Sequence, residues 1–192
     1  MGMANPEPTY FSADMVRALI DEASAWPRYE TIYGELHVTP APRWSHQLVV
    51  GRVHVGLANY LAREGVGIVL VSPADISWGR DDVLVQPDVF VVPIDQARAV
   101  HQENAWTLVR RLLLAVEVLS PSSARYDRFT KRALYQQMGV PLYWVLDPER
   151  REVEVWTPER HFPEVERERL AWHPDGADEP LALDLAALFA PP

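Results

Sequence analysis

Two carboxylates stand where strand-like runs are otherwise apolar. In VLVQPDVFVVP, residues 83–93, Asp88 follows Pro87 and shares a strand face with Phe90 and Val92. In LLLAVEVLS, residues 112–120, Glu117 shares a face with Leu113, Ala115 and Leu119. An unpaired buried carboxylate is costly, so each needs a cation, a hydrogen-bond partner or an open cleft. On neighbouring strands the two can share a divalent ion. Magnesium or manganese takes hard oxygen donors, and with no cysteine in the chain no thiolate competes. Two carboxylates leave positions for water and a substrate phosphate, and a nearby lysine would orient or deprotonate the attacking water and offset charge growing on phosphorus. A structural reading stands beside this one: cleft carboxylates paired to arginines such as Arg110 or Arg111.

The elements around these residues follow from spacing and breakers. Residues 12–25 predict a helix with Ser12 as N-cap and Met15, Leu19 and Ala23 on its inner face. Residues 29–40 predict two extended pieces around Gly34, ended by Pro40 and Pro42. Glu30 and Glu35 flank that turn, and either can supply a further carboxylate. A helix is expected from Trp44 to Arg63, with Leu48, Gly51, Val55, Ala58 and Ala62 as a stripe against something flat. His46 at its start can contact a phosphate, assist proton transfer or cap the helix. Strands are expected in VGIVLVS, ADISW, VLVQPDVFVVP, residues 112–119, LYWVLDP and EVEVWTP. Residues 124–138 return to helical spacing, stopped by Gly139 and Pro141. In that helix Asp127 precedes Lys131 by four residues, the favourable order for a helical ion pair. Asp127 can equally pair with Arg128 or favour the helix N-terminus. Tyr143 and Trp144 are expected to pack a core or an interface, Trp144 alternatively stacking on a base. The segment 142–156 is a candidate dimer surface.

The whole chain narrows the function. Its 192 residues are sufficient for one domain with a real core. No apolar run is long enough for a bilayer, the first residues carry no secretory pattern, and cysteine is absent; together these fit a cytoplasmic protein with no membrane partner. The net charge of −9 argues against coating a nucleic acid by electrostatics alone. The charge is uneven: eight acidic and three basic residues lie in 159–184, while Arg125, Arg128, Lys131 and Arg132 cluster beside the Glu117 strand. No phosphate-binding glycine loop is present, and Ser122 and Ser123 have no histidine nearby for a serine hydrolase. Helices alternating with apolar strands give an α/β class with a mixed sheet and helices against it.

The ordered set Pro87-Asp88, Glu117-Val118-Leu119-Ser120-Pro121, Asp127 and Lys131 resembles the Uma2 family (DUF820) of the PD-(D/E)XK nuclease superfamily. Tyr29-Glu30, Gly34-Glu35, the prolines at 40 and 42 followed by His46, and Gly139-Val140-Pro141 with Tyr143-Trp144-Val145 extend it over roughly residues 10–158. The resemblance implies a restriction-endonuclease-like core, with a central mixed β-sheet flanked by helices. Length gives a single domain over 1–192; the resemblance sets a nuclease-like core at 10–158, and the charge marks 159–192 as an acidic C-terminal extension. Asp88 and Glu117 would then ligate Mg2+ or Mn2+, with the Val118 carbonyl as a third protein ligand. The superfamily's lysine position, two after the glutamate, holds Leu119, and Lys131 resembles the relocated catalytic lysine of the family. The implied activity is hydrolysis of DNA phosphodiester bonds, by a possible homodimer, to 5′-phosphate and 3′-hydroxyl ends. Glu30, Glu35, His46 and Asp127 are the accessory candidates. The alternative is a nuclease fold used for binding or interaction without hydrolysis.

Overall fold

A computed structural model of the protein describes residues 9–23 and 26–192. The chain runs α1 (Ala13–Glu22), β1 (Arg28–Ile32), β2 (Glu35–Thr39), α2 (Trp44–Glu64), β3 (Gly67–Val71), β4 (Val83–Leu84), β5 (Val89–Pro93) and α3 (Ile94–Glu103). It continues through β6 (Leu114–Val118), a π-helical segment (Tyr126–Lys131), α4 (Arg132–Gln137), β7 (Tyr143–Asp147), β8 (Glu152–Trp156), β9 (Glu164–Glu166), β10 (Arg169–Trp172), β11 (Leu181–Asp184) and α5 (Leu185–Leu188). Six strands form the main sheet in the order β3-β5-β6-β7-β8-β9. β6 and β7 are parallel and every other neighbouring pair is antiparallel, so this is an α/β fold on a mixed sheet. A parallel pair needs a crossover, and residues 119–142, carrying the π segment and α4, supply it.

β5, β6 and β7 are buried at every position, which is why their sequences are near-continuous apolar runs rather than alternating ones. Alternation still sorts the side chains between faces. Val89, Val91, Leu114, Val116 and Val118 pack beneath Val49, Val53, Leu57 and Tyr60 of α2. Phe90, Val92, Ala115 and Leu119 face Leu134 and Tyr135 of α4, together with Ile32 and Val83 of a small sheet ordered β2-β1-β4. Asp88 and Glu117 belong to this second face. Leu113, expected there too, sits before β6 begins and packs to the α2 side.

Several expectations are corrected by packing. Ser12 caps α1, its Oγ accepting from the Met15 amide at 3.2 Å. The inner face, however, is Ala13 and Val16, while Met15 is exposed. The final two residues of the predicted helix, 24 and 25, lie outside the described residues, as do residues 1–8. α2 buries Val49, Val53, Leu57, Tyr60 and Leu61, one register away from the small-residue stripe, and Val55 is 57 % exposed. Both stripes have helical spacing, and the sheet takes the one with more apolar area to bury. Trp144 is fully buried against Trp172 with ring centroids 6.3 Å apart, so it stacks on no base. β7 lies between β6 and β8, and β8 is covered by β9, so the aromatic and apolar side chains Tyr143, Trp144, Val145, Leu146, Val153 and Trp156 are taken up by the core, while Glu149, Arg150 and Arg151 of the β7–β8 turn are exposed.

The segment after residue 158 is part of the same core. β9 extends the main sheet, and Leu170, Trp172, Leu181, Leu185, Leu188 and Phe189 join the α2-side cluster. Truncation after Pro158 removes them all, at about 2–5 kcal/mol for each large buried side chain. The expected result is a chain without a cooperative thermal transition by circular dichroism. A truncated protein melting cooperatively near the full-length temperature would refute this.

Candidate active site

The pairing of β5 with β6 brings the two unexpected carboxylates together. The register Val89↔Val116, Phe90↔Ala115 sets Asp88 opposite Glu117, one step beyond the last formed pair. Pro87 has no N–H for the ladder, and its carbonyl accepts the Ser72 hydroxyl at 2.6 Å rather than the Val118 amide. The Asp88 side chain takes over: its Oδ2 accepts the Val118 amide at 3.0 Å and the His46 Nε2 proton at 2.9 Å. Its Oδ1 accepts from Arg28 Nη1 at 3.1 Å. His46 arrives from the first turn of α2, and Arg28 from β1, on the same strand face as Glu30 two residues on.

Glu117 Oε1 accepts from Lys131 Nζ and from the Tyr135 hydroxyl, each at 2.9 Å. Lys131 Nζ is also 2.9 Å from Glu30 Oε1 and 3.9 Å from Asp127 Oδ1. Glu30 Oε1 is fixed in turn by the Gln86 amide at 2.6 Å. Lys131 therefore reaches back to the Glu117 strand, and the helical pair with Asp127 is its longest carboxylate contact. The π segment carries it there: the Asp127 carbonyl accepts both the Arg132 amide, five residues on, and the Tyr143 hydroxyl at 3.0 Å. Such widened turns are concentrated at functional sites.

The arginine partners expected from sequence are elsewhere. Arg110 and Arg111 precede the far end of β6, about 20 Å of strand from Glu117, and Arg111 pairs with Asp95. Arg128 pairs with Glu154 and Asp147 rather than Asp127. Glu35 is exposed at the β1–β2 turn and stays outside the site, while Glu30 is inside it. Val118 contributes its amide to Asp88. Arg28 and Tyr135 are the residues that sequence reasoning overlooks. Arg28 is two before Glu30 on a strand and Tyr135 one turn after Lys131 on a helix. A further signal is composition: Lys131 is the only lysine among the 18 Lys and Arg residues.

Glu30, Asp88, Glu117, Asp127 and Lys131 are each at most 5 % exposed, so these contacts are not solvated surface bridges. Four buried carboxylates face two obligate cations, Arg28 and Lys131. Burial drives the Glu117 carboxyl well above its ordinary range, against the pull of Lys131. Burial likewise pushes Asp127 up to about 7. Asp88 goes the other way: burial opposes, but His46, Arg28 and the Val118 amide hold it below the usual carboxylate range. Burial also works against the Lys131 ammonium, and Glu117, Glu30 and Asp127 override it, so Lys131 stays protonated.

Among the described residues no three His, Cys, Asp or Glu side chains converge as a ready ion cage. Lys131 and Tyr135 engage Glu117, and Arg28 and His46 engage Asp88. The donor chemistry nevertheless fits a hard divalent cation. The carboxylates outnumber the cations, all donors are oxygen, and magnesium is commonly held by one or two carboxylates with water and phosphate completing its shell. Asp88, Glu117 and Lys131 line a pocket of about 250 Å³ walled by Pro40–Arg43 and Ser120–Ser123, which leaves room for those ligands. Adding Mg2+ is expected to raise the melting temperature, and to raise it more near pH 8 than near pH 5. Carboxyls with raised values, Asp127 at about 7 among them, must lose protons before the excess negative charge exists. Differential scanning fluorimetry checks this; an equal or larger shift at the lower pH would contradict it.

The Uma2 family model, described as "Putative restriction endonuclease", matches residues 14–186. No curated protein matches the chain. A crystal structure of "a putative nuclease belonging to DUF820" from Anabaena variabilis ATCC 29413 is similar over 94% of this chain and 98% of that one. Its TM-score is 0.73 at 19% identity, a likeness of fold.

Proposed function

We propose, on the premise that this chain belongs to the Uma2 family, that it is a divalent-metal-dependent endonuclease hydrolysing phosphodiester bonds of DNA. The observation that carries the reading is the buried Asp88–Glu117 pair with the Lys131 ammonium beside it, all three lining one pocket. Asp88 and Glu117 would hold Mg2+ or Mn2+. When bound, the ion supplies Lewis-acid polarisation of a phosphate oxygen and a more acidic water. Arg28, His46 and the Val118 amide fix Asp88, and Tyr135 fixes Glu117, so the carboxylates are oriented before substrate arrives. Lys131 serves as a cation rather than a base. Its ammonium donates to the attacking water and offsets charge on phosphorus; the water gives a proton to solvent as its oxygen joins phosphorus, the P–O3′ bond breaks in line, and the 3′-oxygen takes a proton from solvent, leaving 5′-phosphate and 3′-hydroxyl ends.

A second reading, a nuclease fold that binds without cutting, is favoured by one observation: side chains of the protein itself already engage both carboxylates. Ion binding without turnover would select it. DNA as substrate, two copies acting together on the two strands, and a cytoplasmic setting complete the primary reading. No helix among the described residues is long and apolar enough to cross a membrane. The test is incubation of supercoiled plasmid with purified protein and Mn2+ or Mg2+. Nicked or linear product that disappears with chelator is expected. Intact plasmid and intact oligonucleotides at every ion concentration would sink the hydrolytic reading.

A further inference from the structure

Lys131 Nζ sits at the same distance, 2.9 Å, from Glu30 Oε1 and Glu117 Oε1. The two carboxylates are not equivalent. Glu117 is on the central strand beside Asp88, where an ion would bind. Glu30 comes from β1 of the small sheet, and the Gln86 amide pins its Oε1 at 2.6 Å. Gln86 is itself tied, its side-chain amide donating to Asp75 at 2.9 Å. If an ion takes Glu117, Lys131 loses one of its two close partners. An ammonium stripped of carboxylates inside a buried site would either leave or repel the ion. Glu30, with Asp127 at 3.9 Å, leaves it a second anchor.

We propose that Glu30 is a positioning residue that retains the Lys131 ammonium in the site when Glu117 turns to a divalent ion. The proposal rests on the metal-dependent reading above and assigns Glu30 to the lysine rather than to the ion. In Glu30→Gln the carboxylate within 3 Å of Lys131 is Glu117 alone, so lysine and ion compete for it.

The test is a double-mutant cycle on Mn2+ affinity, read by calorimetry on the full chain, with Lys131→Met as the second substitution. Glu30→Gln alone is expected to weaken Mn2+ binding about tenfold, the size of one charge-assisted hydrogen bond. In the Lys131→Met background the same substitution is expected to change affinity little, because no lysine is left to compete. Equal weakening in both backgrounds would mean that Glu30 ligates the ion directly and would overturn the proposal. So would unchanged affinity in Glu30→Gln. No Mn2+ binding by the unsubstituted protein would overturn the metal-dependent reading and this proposal with it. Should Lys131→Met fail to fold, the single lysine allows a test without it. In protein labelled with 15N-lysine, the Nζ signal should persist on adding Mg2+, and Mg2+ should abolish it in Glu30→Gln through exchange with water. A signal that persists equally in Glu30→Gln would refute retention by Glu30.

Discussion

Replacing Glu117 with glutamine is expected to lower DNA cleavage by about a thousandfold or more while leaving the melting temperature unchanged or raised. The two effects have one cause. Glu117 is buried beside Asp88, Asp127 and Glu30, and burial makes its neutral form favourable in the folded protein. Glutamine has that shape without the charge, and its carbonyl oxygen can still accept from Tyr135 and Lys131. Folding therefore loses little and sheds like-charge repulsion. If Glu117 ligates the ion as proposed, catalysis loses an anionic ligand that Asp88 alone would not replace. Plasmid-nicking rates with Mn2+, beside a thermal melt, measure both. A variant that cuts at the original rate would remove Glu117 from the mechanism. A variant that unfolds would show that its carboxylate is structural.

Lys131→Met is expected to be the most destabilising single substitution in the site, by about 3–5 kcal/mol near pH 8, because three buried carboxylates lose their shared cation. Cleavage should be lost with it. The destabilisation should shrink toward about pH 5. A carboxyl whose folded value lies above the unfolded value of about 3.9 favours the folded state at low pH, and that stability is lost as pH rises through the folded value. Asp127 stands at about 7 even with Lys131 present, and removing the ammonium moves it and Glu117 further up. Urea titrations at the two pH values decide the matter. A loss that is equal at both, or larger at the acidic one, would contradict this charge assignment.

Much of the site was legible because it breaks local rules. A carboxylate in an apolar strand needs a partner, and that marked Asp88 and Glu117 as candidates; arginine pairing explained them as well, and the family resemblance favoured the ion. Their encounter was not, since it depends on the pairing of β5 with β6, and pairing partners are not written in periodicity. Lys131 was placed on a helix by spacing, but its reach to Glu117 depends on the crossover and on a π turn that no α-helical pattern announces. The wrong inner faces of α1 and α2 share one origin. Both helices carry apolar residues at two helical registers, and only the packed sheet chooses between them. The strands after residue 158 were hidden by their length: β10 is four residues long, and Arg169 and Ala171 on the outward positions leave only Leu170 and Trp172 to show the alternation.

Asp88 and Glu117 are proposed to bind one divalent ion with Lys131 still in place. A crystal structure of the protein with Mn2+, located by its anomalous signal, tests it most directly. A single peak is expected within coordination distance of an oxygen of each carboxylate, with Lys131 Nζ still held by Glu30 in the same pocket. A pocket without a peak at saturating Mn2+, with Lys131 and Tyr135 unmoved on Glu117, would contradict it.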